Sequence, residues 1–302
     1  MTDDRDYGRD EGQNETAQGD DVSRRTFGAL SLVVGAAMTA PAAFAAQPLE
    51  VKETDVQIKT EDGMCDAVLL HPATGSYPGV LIWTDALGLR PAFRDMGKRM
   101  AAEGYAVLVP NPYYRLTKAP GLPPNFSFEN QDDRAKLTQL MGSLTPAAVE
   151  RDAKAYIAFL DSQPAMKKGA KIGTIGYCMG GPLTMRTAAT FPGRIAAAGS
   201  FHGGGLVTDK PESPHLLIPK MKAQYHVAIA TNDDQAQPDA KDKLKAAFAD
   251  AKLKAEVEVY DGTLHGWCVA DMPPRNGTPL YNKPQAEKAW AKIISIFKTA
   301  LA

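Results

Sequence analysis

Short apolar runs alternate with amphipathic stretches through most of this chain. Val51 to Lys59 and Cys65 to His71 alternate apolar and polar residues, which predicts two strands split by a turn at Asp62-Gly63. Gly79 to Trp83 is a compact apolar run, the pattern of a strand covered on both faces; Tyr105 to Val109 is the next buried strand, and Lys171 to Tyr177 is a further strand. Ile195 to Phe201, His226 to Thr231 and Ala255 to Tyr260 predict three more strands. A helix is predicted over Pro91 to Glu103, where Phe93, Met96, Met100 and Ala101 share a face before Gly104. Ser143 to Ser162 holds another, with Thr145 as its cap and Pro146 at its first position. Met179 to Thr190, Lys241 to Leu253 and Gln285 to Ala300 complete the helices. Asn111 to Asn130 is rich in proline and aromatic residues and reads as a lid-like loop that would shape a pocket.

From Gly79 onward strand and helix alternate, so the expected fold class is α/β: a mostly parallel central sheet with helices on both faces, opened by an antiparallel hairpin. No repeat or linker divides residues 46–302, which read as one domain. Ligands of such sheets sit at the carboxyl ends of the strands.

Composition narrows the function classes. The chain has 302 residues, of which 44% are hydrophobic and 23% charged, which excludes a mostly disordered chain, a collagen-like fibre and a multi-span membrane protein. Its 34 Lys and Arg nearly cancel 35 Asp and Glu, leaving no electrostatic footprint for nucleic acid or an acidic membrane. The three cysteines are too few for a disulfide scaffold, and their odd number directs attention to a reactive thiol.

Residues 1–45 are expected to lie outside the folded domain. A polar stretch from Thr2 to Val22 precedes Ser23-Arg24-Arg25-Thr26-Phe27, an uncharged run from Gly28, and Ala43-Phe44-Ala45. A basic segment, an apolar segment and an A-x-A site form a secretory signal, and the paired arginines resemble a twin-arginine export signal. The expected location is therefore periplasmic or extracellular, with cleavage near Ala45 and no membrane anchor left on the mature chain. A retained anchor is the alternative; Pro41 and the missing basic stop-transfer flank weigh against it.

The sharpest chemical signal is Gly176-Tyr177-Cys178-Met179-Gly180-Gly181, entered by a strand and left by a helix. This is the setting of a nucleophile elbow, G-x-S-x-G, with cysteine in the serine place. The helix N-terminus favours a thiolate at Cys178, and the Met179 amide is the first candidate oxyanion donor. The alternative is a structural cysteine beside glycines used for close packing. His265 follows the last strand and precedes the last helix, the place of a triad base. Asp233, at the end of the preceding strand, completes the chain order Cys, Asp, His; Asp234 remains an alternative acid, and either could simply cap the helix near Pro238. His202 also ends a strand and is placed at the pocket wall, whereas His226 begins one, at the wrong end of the sheet. His71 and His215 have no supporting context.

Leu81 to Gly88 follows a central strand, and its Ala86 amide is the second candidate oxyanion donor. Asp85 would point toward the thiol, with Arg115 as its partner or as a binder of a substrate carboxylate; a surface position for Arg115 is the alternative. No zinc spacing, dinucleotide fingerprint or Walker loop is present, so no metal or cofactor is expected. Cys65 and Cys268 could pair in an oxidising compartment.

These residues resemble the dienelactone hydrolase (carboxymethylenebutenolidase) family from about residue 50 to the end. The resemblance rests on Gly176 to Gly181, on Tyr260-x-Gly-x-x-His-Gly266, on Asp233 and on Thr84 to Gly88. It implies an α/β-hydrolase fold, a cysteine nucleophile at Cys178, an acid at Asp233, a base at His265, and a thiol-modulating carboxylate at Asp85 where relatives often carry Glu. The arginine after the next strand corresponds to Arg115. Members acting on dienelactone carry a second arginine shortly after the histidine; Gly266 to Ala270 here has none. The expected activity is hydrolysis of a small activated ester or lactone through a thioester. An inert hydrolase fold used for binding, and a thiol redox or acyl-transfer role for Cys178, are the competing classes.

Overall fold

The computed structural model describes residues 49–302. The expected export signal, its cleavage point and the start of the domain at Ala46 lie outside the described residues.

The alternating segments form the expected hairpin. β1 (Val51–Thr60) pairs antiparallel with β2 (Gly63–Pro72), from Thr60 opposite Gly63 to Val51 opposite Pro72. β3 (Gly79–Trp83), β4 (Ala106–Pro110) and β5 (Ile172–Tyr177) are buried at every residue, which explains the apolar sequence of β3 and β4; the one hydroxyl of β5's interior, on Thr174, donates to Leu81 O at 3.1 Å. β6 (Ile195–Phe201), β7 (Gln224–Ala230) and β8 (Ala255–Tyr260) follow. The eight-stranded sheet has the order β1-β2-β4-β3-β5-β6-β7-β8. Strands β3 to β8 are mutually parallel, and β2 joins them antiparallel through β4.

Alternation within the strands separates two apolar layers. Leu81 and Trp83 face α3 (Pro146–Ser162), α4 (Gly180–Thr190) and α6 (Ala240–Asp250). Val80 and Ile82 face α1 (Pro91–Ala102) and α7 (Lys283–Ala300). Charges are spaced along both outer strands: Lys52, Asp55 and Lys59 on β1 are exposed, while Glu256 and Glu258 on β8 pair with Lys292 and Lys288.

The chain leaves β3 toward β4 on one side and later enters β5 on the other. Strand order therefore reverses between β3 and β5, and the crevice at their carboxyl ends is where such sheets bind ligands.

Two helices lie where none was expected. α2 (Gln131–Gly142) directly follows the Pro-rich loop. It buries only Leu137 and Leu140, so it lacks an apolar stripe; it is started instead by Asn130, whose side chain accepts from the amides of Asp132 and Asp133 at 2.9 and 3.0 Å. α5 (Thr231–Ala236) forms one and a half turns at the end of β7. No helix among the described residues is long and apolar enough to cross a membrane.

Candidate active site

β5 ends at Tyr177 and α4 begins at Gly180, so Cys178 and Met179 make the whole turn. Cys178 adopts φ +51°, a left-handed backbone that costs a non-glycine residue about 1–3 kcal/mol. Its amide donates to Phe201 O on β6 and its carbonyl accepts from Gly181 N, both at 3.0 Å. The glycines are required by close approach. A Cβ on Gly180 would lie 2.5 Å from the Trp83 carbonyl, and one on Gly176 would overlap the Gly180 backbone. The turn thus presses against the end of β3 and holds the half-buried thiol over the sheet.

A hydrogen-bonded line runs from that thiol. His265 Nε2 is 3.0 Å from Cys178 Sγ, and His265 Nδ1 is 2.8 Å from Asp233 Oδ2. Asp234 instead pairs with Lys241 at 2.8 Å, so of the two adjacent carboxylates it is Asp233 that meets the histidine. The acid and the base come from different loops, stitched together by three polar side chains. Thr231 Oγ1 and Thr263 Oγ1 both donate to Tyr260 O, at 2.9 and 2.6 Å, and Asn232 Oδ1 accepts from His265 N at 2.8 Å. Burial lowers the His265 pKa, but its hydrogen bonds to Asp233 and Cys178 and their charges more than offset this, raising it to about 10. The imidazole is therefore held as imidazolium at neutral pH.

The candidate oxyanion donors, Met179 and Ala86, are joined by a residue the sequence reading passed over. Tyr113, fully buried, donates to Ala86 O at 2.7 Å and lies 3.2 Å from Met179 Sδ. Among the described residues, neither the Met179 nor the Ala86 amide donates to a protein acceptor.

Three expectations need correction. Asp85 does not pair with Arg115. Arg90, at the start of α1, grips it with two hydrogen bonds of 2.7 and 2.9 Å and also binds Asp271. Burial pushes the Asp85 carboxyl upward, against the opposing pull of Arg90. Arg115 lies away from the cleft: it binds both oxygens of Asp152 on α3, at 2.7 and 2.9 Å, and Asp62 in the hairpin turn. Buried Asp152 claims this guanidinium, so Arg115 ties hairpin to helix and is not part of the cleft lining. His202 is not a wall of the pocket. It is fully buried with its ring 5.0 Å from that of His265, edge to face, and neither ring nitrogen has a partner among the described residues. Burial, then the charge of His265, push its pKa well down, so it stays neutral behind the imidazolium.

Cys65 and Cys268 are both free and belong to opposite layers of the core, which separates them by the sheet. Burial pushes the Cys65 thiol up to about 12 and Cys268 also well up, so both are inert thiols.

Cys178, His265 and Asp85 open into a cleft of about 230 Å³. Phe128 of the Pro-rich loop lines it, as do Leu137 and Met141 of α2, and Arg275. Arg275 and α2 were missed: the first stands in an irregular loop, and the second carries no periodic apolar signal.

The profile of the Dienelactone hydrolase family matches residues 65–301. A Synechocystis protein named "Putative carboxymethylenebutenolidase" is 26% identical over 257 residues, covering 84% of this chain and 99% of its own. The carboxymethylenebutenolidase of Rhodococcus opacus is 23% identical over 232 residues, covering 76% of this chain and 83% of its own. A Klebsiella pneumoniae crystal structure named "Putative Dienelactone Hydrolase" superposes with a TM-score of 0.70 at 22% identity, covering 82% of this chain and 99% of that one. The shared fold is the α/β-hydrolase fold.

Proposed function

The chain belongs to the dienelactone hydrolase family, and from that premise we propose that it hydrolyses activated carboxylic esters or lactones through a thioester on Cys178. The observation that carries this reading is the line from Cys178 Sγ to His265 Nε2 and from His265 Nδ1 to Asp233 Oδ2, at 3.0 and 2.8 Å.

The imidazolium of His265, 3.0 Å from the sulfur, and the N-terminus of α4 place positive charge beside the attacking atom. Thiolate attacks the carbonyl carbon, and the Met179 and Ala86 amides receive the oxyanion. His265 gives its proton to the departing oxygen, then takes one from the water that cleaves the thioester. Asp233 holds the ring in the required orientation and stabilises its charge. Thiolate leaves more readily than an ordinary alkoxide. Unactivated esters therefore expel the thiol again, and activated esters or enol lactones go forward.

Turnover of p-nitrophenyl acetate and an enol lactone by the purified chain tests this, with Cys178→Ala and His265→Ala as controls and mass spectrometry of trapped acyl-enzyme. The expected result is loss in both variants and an acyl mass on the Cys178 peptide. Turnover that survives Cys178→Ala, or an acyl group elsewhere, sinks the thioester.

For its location we propose export by the twin-arginine route, on the strength of Arg24-Arg25-Thr26-Phe27 and Ala43 to Ala45. N-terminal sequencing of the chain from a periplasmic fraction should begin at Ala46. An intact N-terminus found only in the cytoplasm would overturn it.

A further inference from the structure

Two hollows meet at the reacting groups. The cleft of about 230 Å³ contains Cys178 and is walled by Leu87, Phe128, Leu137, Met141 and Met272. A second hollow, of about 220 Å³, is bordered by Asn232, Asn276 and Thr278 and reaches His265 but not Cys178. Arg275, Leu280 and His265 belong to both.

We propose, resting on the hydrolytic reading above, that this enzyme sorts its substrate by polarity: an apolar acyl group lies against α2, and a hydroxylated or anionic alcohol portion lies toward Asn276 and Thr278. The chemistry of the step assigns each hollow. A bond forms between Cys178 Sγ and the carbonyl carbon while the bond from that carbon to the alcohol oxygen breaks. The acyl group therefore stays on the sulfur and must occupy the hollow that contains it. The departing oxygen takes its proton from His265 Nε2, so the alcohol portion occupies the hollow that reaches His265 alone. Water then forms the new bond to the carbonyl carbon, the bond to sulfur breaks, and the proton of the water returns to His265.

The lining fits each assignment. The acyl hollow meets Leu137 and Met141 of α2; Leu137 also packs in the core, whereas Met141 is exposed and has a use there other than packing the helix. Asp85, the carboxylate in that lining among the described residues, is paired with Arg90. The alcohol hollow carries two amides and a hydroxyl beside Leu264 and Leu280; the Arg275 guanidinium borders both hollows, and the Glu129 carboxylate, which accepts from the Asn276 amide at 3.2 Å, partly offsets its charge. The acyl hollow is smaller than the sites of about 300–1,000 Å³ that hold drug-sized ligands, so the acyl group is short or a single small ring.

The test compares kcat/KM for p-nitrophenyl acetate, p-nitrophenyl hexanoate and the hexanoate of 3-carboxy-4-nitrophenol. Hexanoate is expected to exceed acetate by about tenfold or more. Leu137→Asn should collapse that ratio, and Leu137→Met should keep it. The carboxylated phenol should be favoured over the plain one, a preference lost in Arg275→Gln. Equal or inverted acyl preference, or a ratio that survives Leu137→Asn, overturns the sorting. Binding of the same intact esters to Cys178→Ala, by equilibrium dialysis, separates this from the reaction. Hexanoate bound in preference with no turnover by the native chain overturns only the hydrolytic reading. Bound esters with no acyl preference overturn the sorting itself.

Discussion

The Tyr113 hydroxyl donates to the carbonyl of Ala86 at 2.7 Å, so one buried phenol holds the Ala86–Leu87 peptide, the neighbour of the peptide whose N–H is the candidate oxyanion donor. Tyr113→Phe leaves that carbonyl without its partner, at a cost of about 1–3 kcal/mol. The expected kinetic result is a fall in kcat of about tenfold or more, with KM little changed, because a shift of Ala86 would displace its own amide, in the adjoining peptide, from the place where the oxyanion forms. Steady-state kinetics and urea unfolding of the variant measure both effects. A KM effect alone would remove Tyr113 from oxyanion positioning.

Asp233 governs the charge on His265. Asp233→Asn should lower kcat/KM by about 10²–10⁴. In the native chain His265 keeps its proton until the pH approaches about 10, so acylation declines only there. Without the carboxylate the decline moves to lower pH. The same shift bears on stability: the folded value lies above the ordinary 6.5, so the stabilisation is complete below about 6.5 and is lost as pH rises through about 10. Pre-steady-state acylation rates across the alkaline range, for both proteins, check the displacement. Superimposable profiles would count against it.

His226 acts at the acid end. It is fully buried, with Nε2 3.0 Å from Tyr260 Oη and Nδ1 unpartnered among the described residues. Burial, with a smaller effect of Lys292, brings its pKa down to about 4, although Glu256 and Glu258 pull the other way. The unfolded chain therefore takes the proton first. Stability is complete above about 6.5 and falls as pH drops through about 4, by about 3 kcal/mol from this residue. Urea midpoints at neutral and acidic pH should show the loss, and His226→Gln should flatten it.

The Asp85–Arg90 pair is a liability when halved. Arg90→Met leaves the buried carboxylate uncompensated, with an expected loss of about 3–5 kcal/mol. The double change Asp85→Asn, Arg90→Met should recover most of it. A double variant no more stable than Arg90→Met would show that the arginine acts mainly through Asp271, its other partner.

The central strands were legible because β3 and β4 are buried at every residue and leave unbroken apolar runs, and β5, equally buried, departs from one only at Thr174. Cys178 and His265 were legible because strand–turn–helix geometry demands glycines at Gly176 and Gly180, and because chain order limits where a base can stand. The choice between Asp233 and Asp234 depended on which of them reaches His265 from another loop, a contact that no local pattern reveals. The partner of Asp85 was misread for a similar reason: Arg90 and Arg115 are both plausible by position, and only buried Asp152 removes Arg115 from the contest. α2 escaped because it lacks a continuous buried stripe, and its cap at Asn130 was read as the end of a loop.

The charges spaced along β1 and β8 decide how this sheet ends. An incoming strand at the hairpin edge would have to crowd Lys52, Asp55 and Lys59, and one at the far edge would have to break the ties of Glu256 and Glu258 to the lysines of α7. Neither border offers a clean template for continued pairing, so a concentrated solution of the folded protein is guarded against growing into fibrils strand by strand.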